Sequence, residues 1–480
     1  MADEQTPLLG ASQYSVWTQR QKLLIIIAAT AASIFSPLAA NIYYPALIAI
    51  REELGTSEQL LNITITSYMI FQGISPTFVA SLSDTLGRRP VYIFCFVIYT
   101  TANIALAFQK SFLALLLLRC LQSSGIASTV NLAYAVTADV VTSDERGRYI
   151  GFASVGPIVG PSLGPMMGGF IAQKYGWRYI FIFLAVASSC IFIPLMLFMP
   201  ETARNIAGNG SIPPSSIWNK PLWWLWHDGG STIGGTRAQQ AMAASKKKKI
   251  LNPFRTLGLL FEYPTGSLLF YNGFSFAVYY AVTSSLAFSF YDLYHFDNLQ
   301  VGLAYLPVGL GTMLAALGNG VLVDWNFRRL AAKHGLDASK GRNIDPDAYE
   351  RTGFSFERAR LQITLPMIVL ATIAMLAYSW SMDLRLPPWV PLLALFVFGM
   401  AGTAAYTSMN VLIIDLHTES PAMATAANNL VRCLLGSAAT AVTMPLIHVL
   451  HIGGAFSLIA GVWALLSPLP VALLFRNRGR

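Results

Sequence analysis

Apolar residues run in long blocks separated by short polar breaks. The blocks fall at about 23–45, 60–82, 91–108, 112–137, 150–172 and 178–199, and again at 266–290, 299–323, 361–381, 389–412, 422–448 and 455–475. Each is close to the roughly 20 residues a helix needs to cross a hydrocarbon layer about 30 Å thick. The pattern predicts an all-α membrane protein with twelve transmembrane helices in two six-helix bundles. Residues 1–20 form an N-terminal tail, 21–200 the first bundle, 201–262 a middle loop and 263–476 the second bundle, with an insertion at about 324–360. An even count places both termini on one side of the membrane.

Composition agrees with a chain solvated largely by lipid. It is 54% hydrophobic and 11% charged, where a soluble domain carries about a quarter charged residues. The net charge of +9 is spread through the polar breaks rather than gathered on one face, which argues against a nucleic-acid partner. Most Lys and Arg fall in the N-terminal tail, the even-numbered loops and the C-terminus, whereas the odd loops hold only Arg51, Lys110, Lys174, Arg178 and Arg385. Positive charge marks the cytoplasmic side, so both termini are expected there. The run Lys246–Lys249 reads as lipid-surface contact. Cys95, Cys120, Cys190 and Cys433 all lie in apolar blocks, with neither disulfide nor metal spacing. No cleavable leader is visible. Asn62-Ile-Thr is a glycosylation pattern set too close to the membrane for use. Glu4 with Leu8-Leu9 resembles an acidic dileucine signal, which keeps a vacuolar membrane open behind the plasma membrane.

The halves repeat one another. SLSDTLGRR (81–89) follows the second block and VLVDWNFRR (321–329) the eighth, aligning Asp84, Arg88 and Arg89 with Asp324, Arg328 and Arg329. DVVTSDE (139–145), opening on Asp139, is echoed by DLHTE (415–419). Repeated halves around a central site are a transporter signature, and charge pairs at these loops predict a conformational latch between the halves. In the fifth block, glycines at four-residue spacing form a smooth stripe that admits a close neighbouring helix, and its prolines permit bending.

Two charges are placed deep in apolar blocks, Arg119 and Arg432. A charge in hydrocarbon costs at least about 2.5–3.5 kcal/mol, so such residues face the interior and find partners. Gln122 and Asn429 share their faces by three-residue spacing. Asn41, Asn272, Tyr280, Ser284, Tyr406 and Asn410 complete a candidate polar cavity near mid-membrane. No Asp or Glu lies near the middle of any block, so the cavity field is expected to favour anions. There is no nucleophile–base set, metal cluster or phosphate-cradling loop, so neither an enzyme nor a bound metal or cofactor is expected.

Three motifs resemble those of the major facilitator superfamily, in its fungal twelve-span drug:proton antiporter branch. ASLSDTLGRR matches the superfamily's loop motif at Asp84, Gly87, Arg88 and Arg89; RCLQSSG matches the fourth-span motif at Arg119 and Gln122. Gly160, Gly164, Pro165, Gly168 and Gly169 match the fifth-span antiporter motif whole, and PET (200–202) and NNLVRCLLG (428–436) also resemble this branch. The nearest likeness is to the quinidine-resistance, dityrosine and citrate or organic-acid exporters. The resemblance, over about 20–476, implies a monomeric efflux carrier that works by alternating access, with the proton as coupling ion and a small organic acid, secondary metabolite or drug as substrate. A receptor that kept the carrier fold without transporting is the rival from another class, and a cationic multidrug antiporter the rival among carriers.

Overall fold

The computed structural model of the chain describes residues 15–142, 149, 153–212, 214, 216–221, 258–263, 265–333, 356–417 and 421–476. Glu4, Leu8, Leu9, Lys246–Lys249 and most of both soluble insertions lie outside these residues. Every regular element among the described residues is helical. The first half holds α1 (Gln19–Asn41), α2 (Leu47–Leu54), α3 (Glu58–Leu86), α4 (Arg88–Phe108), α5 (Phe112–Ile126), α6 (Thr129–Val140), α7 (Val155–Tyr175), α8 (Arg178–Phe198) and the single turn α9 (Arg204–Ala207). The second holds α10 (Thr265–Tyr294), α11 (Asn298–Ala304), α12 (Leu306–Lys333), α13 (Phe356–Asp383), α14 (Trp389–Asp415), α15 (Pro421–Leu466) and α16 (Pro468–Arg476).

Local chemistry starts these helices where the polar breaks place them. Thr18 and Asp297 close capping boxes with Gln21 and Gln300, and Ser57 and Ser111 cap α3 and α5, each supplying an oxygen to an otherwise orphaned backbone N–H. Among the described residues nine stretches are long and apolar enough to cross a membrane. The last, Met423–Ala472, contains two expected blocks, which meet at a break where His451 adopts φ 59°. Helices α3 and α7 occupy the expected positions 60–82 and 150–172 and are not among the nine; the first is interrupted by polar side chains, the second by glycine and proline. The insertion expected from 324 starts later: α12 stays helical to Lys333, because the loss of apolar character marks where a helix leaves lipid, not where it ends.

Contacts sort the helix ends into two sets. Val16 N donates to the carbonyl of Asn209 (3.1 Å), and Asn205 donates to the carbonyl of Asp84. These join the start of α1 and the end of α3 to the chain after α8, at the end that carries the N-terminus. In the second half Thr265 meets His417 (3.3 Å). The opposite, distal end carries α2, the start of α3, the end of α10 and α11.

The two halves meet along two antiparallel seams. On one, α3 packs on α15, with Gly73 against Cys433 and Gly436 against Met69. On the other, α7 packs on α11 and α12, with Gly169 against Gly302 and Ser162 against Gly309. The glycine stripe of α7 serves a different contact. Gly156, Gly160, Gly164 and Gly168 lie against Ser33, Pro37, Asn41 and Ile42, all on or just after α1. The absence of side chains lets the backbones of α1 and α7 touch, so one face of α7 is fixed within its own half while another meets the partner half.

A Cβ on Gly168 would collide with the carbonyl of Ile42, whereas Gly461 has nothing within 4 Å. Gly168→Ala is therefore expected to destabilise the protein by about 1–3 kcal/mol. Gly461→Ala is expected to be neutral or slightly stabilising. Thermal midpoints of the detergent-solubilised variants measure both; equal midpoints would show that the α1–α7 seam tolerates separation.

Candidate functional site

Among the described residues, two polar clusters built around an arginine sit inside the bundle, one in each half. In the first, Arg119 on α5 donates to Gln122 Oε1 (2.6 Å) and to the carbonyl of Ala39 (3.3 Å). Gln122 passes the network on to Asn103 Oδ1 (2.7 Å) on α4. The guanidinium lies between two aromatic faces, 4.3 Å from the centroid of Tyr43 and 4.1 Å from that of Tyr68. Such cation–π contacts hold a desolvated guanidinium without an anion. Arg119 is 1% exposed, so in this conformation it is sealed behind the two rings rather than lining an open space.

The second cluster spans three helices. Arg432 on α15 donates to Asn429 Oδ1 from Nε (3.1 Å) and Nη2 (2.8 Å), and to the Tyr406 hydroxyl from Nη1 (3.2 Å). Its guanidinium lies 4.8 Å from the ring centroid of Phe276, which packs on Tyr280 at 4.7 Å and Tyr406 at 5.5 Å. Asn428 links the helices: it donates to Asn410 Oδ1 (3.0 Å) and the Tyr406 hydroxyl (3.3 Å) and accepts from Asn272 (3.0 Å). Asn429 donates across to the carbonyl of Gln72 on α3 (3.4 Å). Unlike Arg119, Arg432 is only half-buried. Neither arginine pairs with a carboxylate among the described residues, so both keep their charge within shells of neutral oxygens and rings.

The set read from the sequence thus divides. Asn272, Tyr280, Tyr406, Asn410, Asn429 and Arg432 come together, and Arg119 with Gln122 forms a separate pair. Two residues do not join either cluster. The Asn41 side chain donates back to the carbonyl of Pro37 (2.7 Å), a carbonyl whose helical partner would be residue 41 itself. The Ser284 hydroxyl turns onto Ala281 (3.3 Å) in the preceding turn of α10. Sequence reading missed Asn428, Asn103, Tyr43, Tyr68 and Phe276. Phe276 had a signal, since it stands one helical turn before Tyr280; the tyrosines over Arg119 come from other helices and had none.

The charged loops differ more. Arg88 donates to Asp84 (2.6 Å) and Asp139 (3.0 Å). Arg89, 2% exposed, donates not to Asp84 but to the carbonyls of Met196, Met199 (3.0 Å) and Trp218. Glu201 organises the corner: its carboxylate accepts from the backbone N–H of Arg88 (2.8 Å), Arg89 (3.3 Å), Thr202 (3.0 Å) and Ala203 (2.9 Å). Burial pushes its carboxyl above the usual range, and the backbone donors pull it back. Gly87 takes φ 108° and packs directly on this carboxylate, so only glycine can make the break between α3 and α4. All these partners belong to the first half. The latch expected between the halves is therefore, in this conformation, a clamp within one of them, because the four-residue spacing lets Arg88 close on Asp84 locally. The echo in the second half is weaker: Asp324 is mostly exposed and lies 3.9 Å from Arg360, while Arg329 lies over Trp325 (5.4 Å); neither Arg328 nor Arg329 pairs with Asp324 among the described residues.

Against known proteins, the sequence profile of the Major Facilitator Superfamily matches residues 29–441. The chain belongs to the major facilitator superfamily. It is 61% identical over 412 residues to MFS-type transporter phiL of Fungal sp. (strain ATCC 74256), covering 85% of this chain and 97% of that one. It is 35% identical over 462 residues to Citrate exporter 1 of Aspergillus niger, covering 95% and 86%. The superfamily fold also matches the human organic anion transporter MFSD10 at a TM-score of 0.58 and 16% identity, over 94% of this chain and 99% of that one. The xylose transporter XylE from E. coli matches at 0.61 and 15%, over 95% and 97%. The protein is a multi-pass membrane transporter of the fungal superfamily type, not an enzyme.

Removing the acceptor that holds the α3–α4 corner tests its role. Glu201→Gln turns one carboxylate oxygen into a donor facing backbone donors, and an unmet buried hydrogen bond costs about 1–3 kcal/mol. A lowered thermal midpoint is expected; an unchanged one would mean that water satisfies these N–H groups.

Proposed function

We propose that this transporter exports a small organic acid, or an amphipathic metabolite or drug with an acidic group, by alternating access. It would use twelve spans, with both termini in the cytoplasm of a fungal plasma membrane or, as the second address, facing the cytoplasm from a vacuolar membrane. The observation that carries this reading is Arg432: a half-buried guanidinium, held by Asn429, Tyr406 and Phe276 without a carboxylate, where α10, α14 and α15 reach Gln72 of α3. Its charge is positioned by neutral groups and left uncompensated, which is what binding an anion requires. The surrounding rings of Phe276, Tyr280 and Tyr406 suit an apolar body attached to the acid. Arg119 and Gln122 would complete the site once Tyr43 and Tyr68 part. The kinship with a protein named as a citrate exporter supports an acid as substrate. Orientation follows from the positive-inside distribution of Lys and Arg.

Export of an anion from a negative-inside cell is favoured by about 2.3 kcal/mol per charge per 100 mV, and exchange against protons would add to that drive. The glycine-lined α1–α7 seam would keep the antiporter motif from leaking, and the Asp84–Arg88–Asp139 clamp with Arg89 would keep the first half rigid as it rocks against the second.

Proteoliposome counterflow tests this. Labelled di- and tricarboxylates are expected to exchange, and labelled tetraphenylphosphonium is not. Arg432→Leu is expected to lower acid flux at least about tenfold, the value of a single charge-assisted hydrogen bond, with normal expression. Arg119→Leu is expected to lower both flux and thermal midpoint, since Gln122 loses its buried donor. Movement of the cation alone, or acid flux undiminished in Arg432→Leu, would overturn the assignment; ligand binding without flux would favour the receptor reading.

A further inference from the structure

A further set of polar and aromatic contacts between the halves lies at the distal end, outside both clusters described above. Tyr44 stacks on Tyr305 (5.7 Å). Arg51 on α2 pairs with Glu58 at the start of α3 and lies over the rings of Phe288 (5.9 Å) and Tyr291 (5.6 Å) at the end of α10. The Tyr291 hydroxyl donates to Glu52 (3.2 Å). His448 on α15 places Nε2 3.7 Å from Glu58 Oε2, beyond hydrogen-bond reach. Asp292 and His295 on the second half complete the charges facing this point. Glu53, next in sequence, is engaged elsewhere, by Trp177 and Arg178.

Glu58 stands out in this group. Its side chain is 13% exposed, and its Oε2 is buried with no hydrogen-bond partner among the described residues. That oxygen faces His448 Nε2 with no hydrogen bond between them. Asp292, on the opposite half, is near enough for its charge to act on Glu58.

We propose that Glu58 is a proton-binding site built into the distal clasp between the two halves, loaded as that end closes and emptied as it opens. Closing withdraws the carboxyl from water and brings it beside Asp292; both changes favour the neutral acid, with Arg51 opposing them. Burial and then Asp292 hold Glu58 above the usual carboxylate range, against the pull of Arg51 and His448. When the halves part at this end, Glu58 is rehydrated, Asp292 moves away and the proton leaves.

The sign follows from linkage. A group that binds its proton more tightly in the closed form stabilises that form at low pH, and the effect fades as pH rises through the closed-state pKa. Acid on the distal side therefore shifts the carrier toward the form open at the termini end. Resting on the alternating-access reading above, this makes external acidity a control on how the carrier faces, whatever its substrate.

Spin labels at Gln59→Cys and Val449→Cys, with Cys120 and Cys190 replaced by Ser, report the distance across the clasp in lipid nanodiscs without any substrate. Acidification from about pH 8 to about pH 5 is expected to enrich the short distance, by up to about tenfold in the closed-to-open ratio for each unit by which closing raises the proton affinity. Glu58→Gln, a permanent mimic of the neutral acid, is expected to keep the short distance at both pH values. Asp292→Asn is expected to move the transition to lower pH, and His448→Asn to retain it. A pH-independent distance in the parent, a response that survives Glu58→Gln, an unmoved transition in Asp292→Asn, or one abolished by His448→Asn would each overturn the proposal. These distances need no flux, so a failed clasp beside intact counterflow, or a working clasp beside none, separates this inference from the transport reading.

Discussion

A full positive charge inside hydrocarbon must be solvated by the protein that carries it. The centre of this molecule is arranged around meeting that demand twice, with no acid among the described residues paired to either charge. Arg119 is enclosed by two tyrosine faces, a glutamine and a backbone carbonyl; Arg432 is held by an asparagine, a tyrosine hydroxyl and a phenylalanine face. Had either been paired with a carboxylate, the pair would be neutral and the interior indifferent to the sign of what enters it. With neutral partners the field persists, and helices α1, α3, α4, α5, α10, α14 and α15 each contribute an atom or a ring to holding it.

The two sites differ in access rather than in chemistry. Sealing Arg119 and leaving Arg432 half-buried gives the pseudo-symmetric halves unequal roles in a single conformation. Packing supports this asymmetry. The α1–α7 contact joins backbones almost without side chains, so α1, which carries the Ala39 carbonyl and leads into Tyr43, is fixed relative to α7. The seams between the halves, α3 with α15 and α7 with α11 and α12, are also built on small residues and run antiparallel. They can change angle with little side-chain repacking, which is the motion alternating access needs.

Much of the helical plan was legible, because a crossing length of apolar residues has few other readings. The pairs Arg119–Gln122 and Arg432–Asn429 were legible because a three-residue interval is a fixed geometric relation on a helix. What escaped is what depends on distant chain segments. Glu201 showed only as part of the PET resemblance, because the Arg88 and Arg89 N–H groups it accepts from lie more than a hundred residues away. Asn428 stands beside Asn429 in sequence but on another face, where it ties α10 to α14. Asp84 and Arg88 were read as reaching across the molecule when they close on each other. The end of α12 was misplaced because hydropathy reports the surrounding solvent, and a helix can continue through a change of solvent.

The break at His451 separates two helical stretches with no loop between them. Most neighbouring helices in a bundle are joined by a few residues of slack that absorb small displacements. Here the two arms meet at a single non-helical residue, so there is no run of loop between them to take up a displacement. The outer surface of the last arm, with Leu458, Val462 and Leu465 exposed, is therefore joined to the helix of the arginine with no intervening loop.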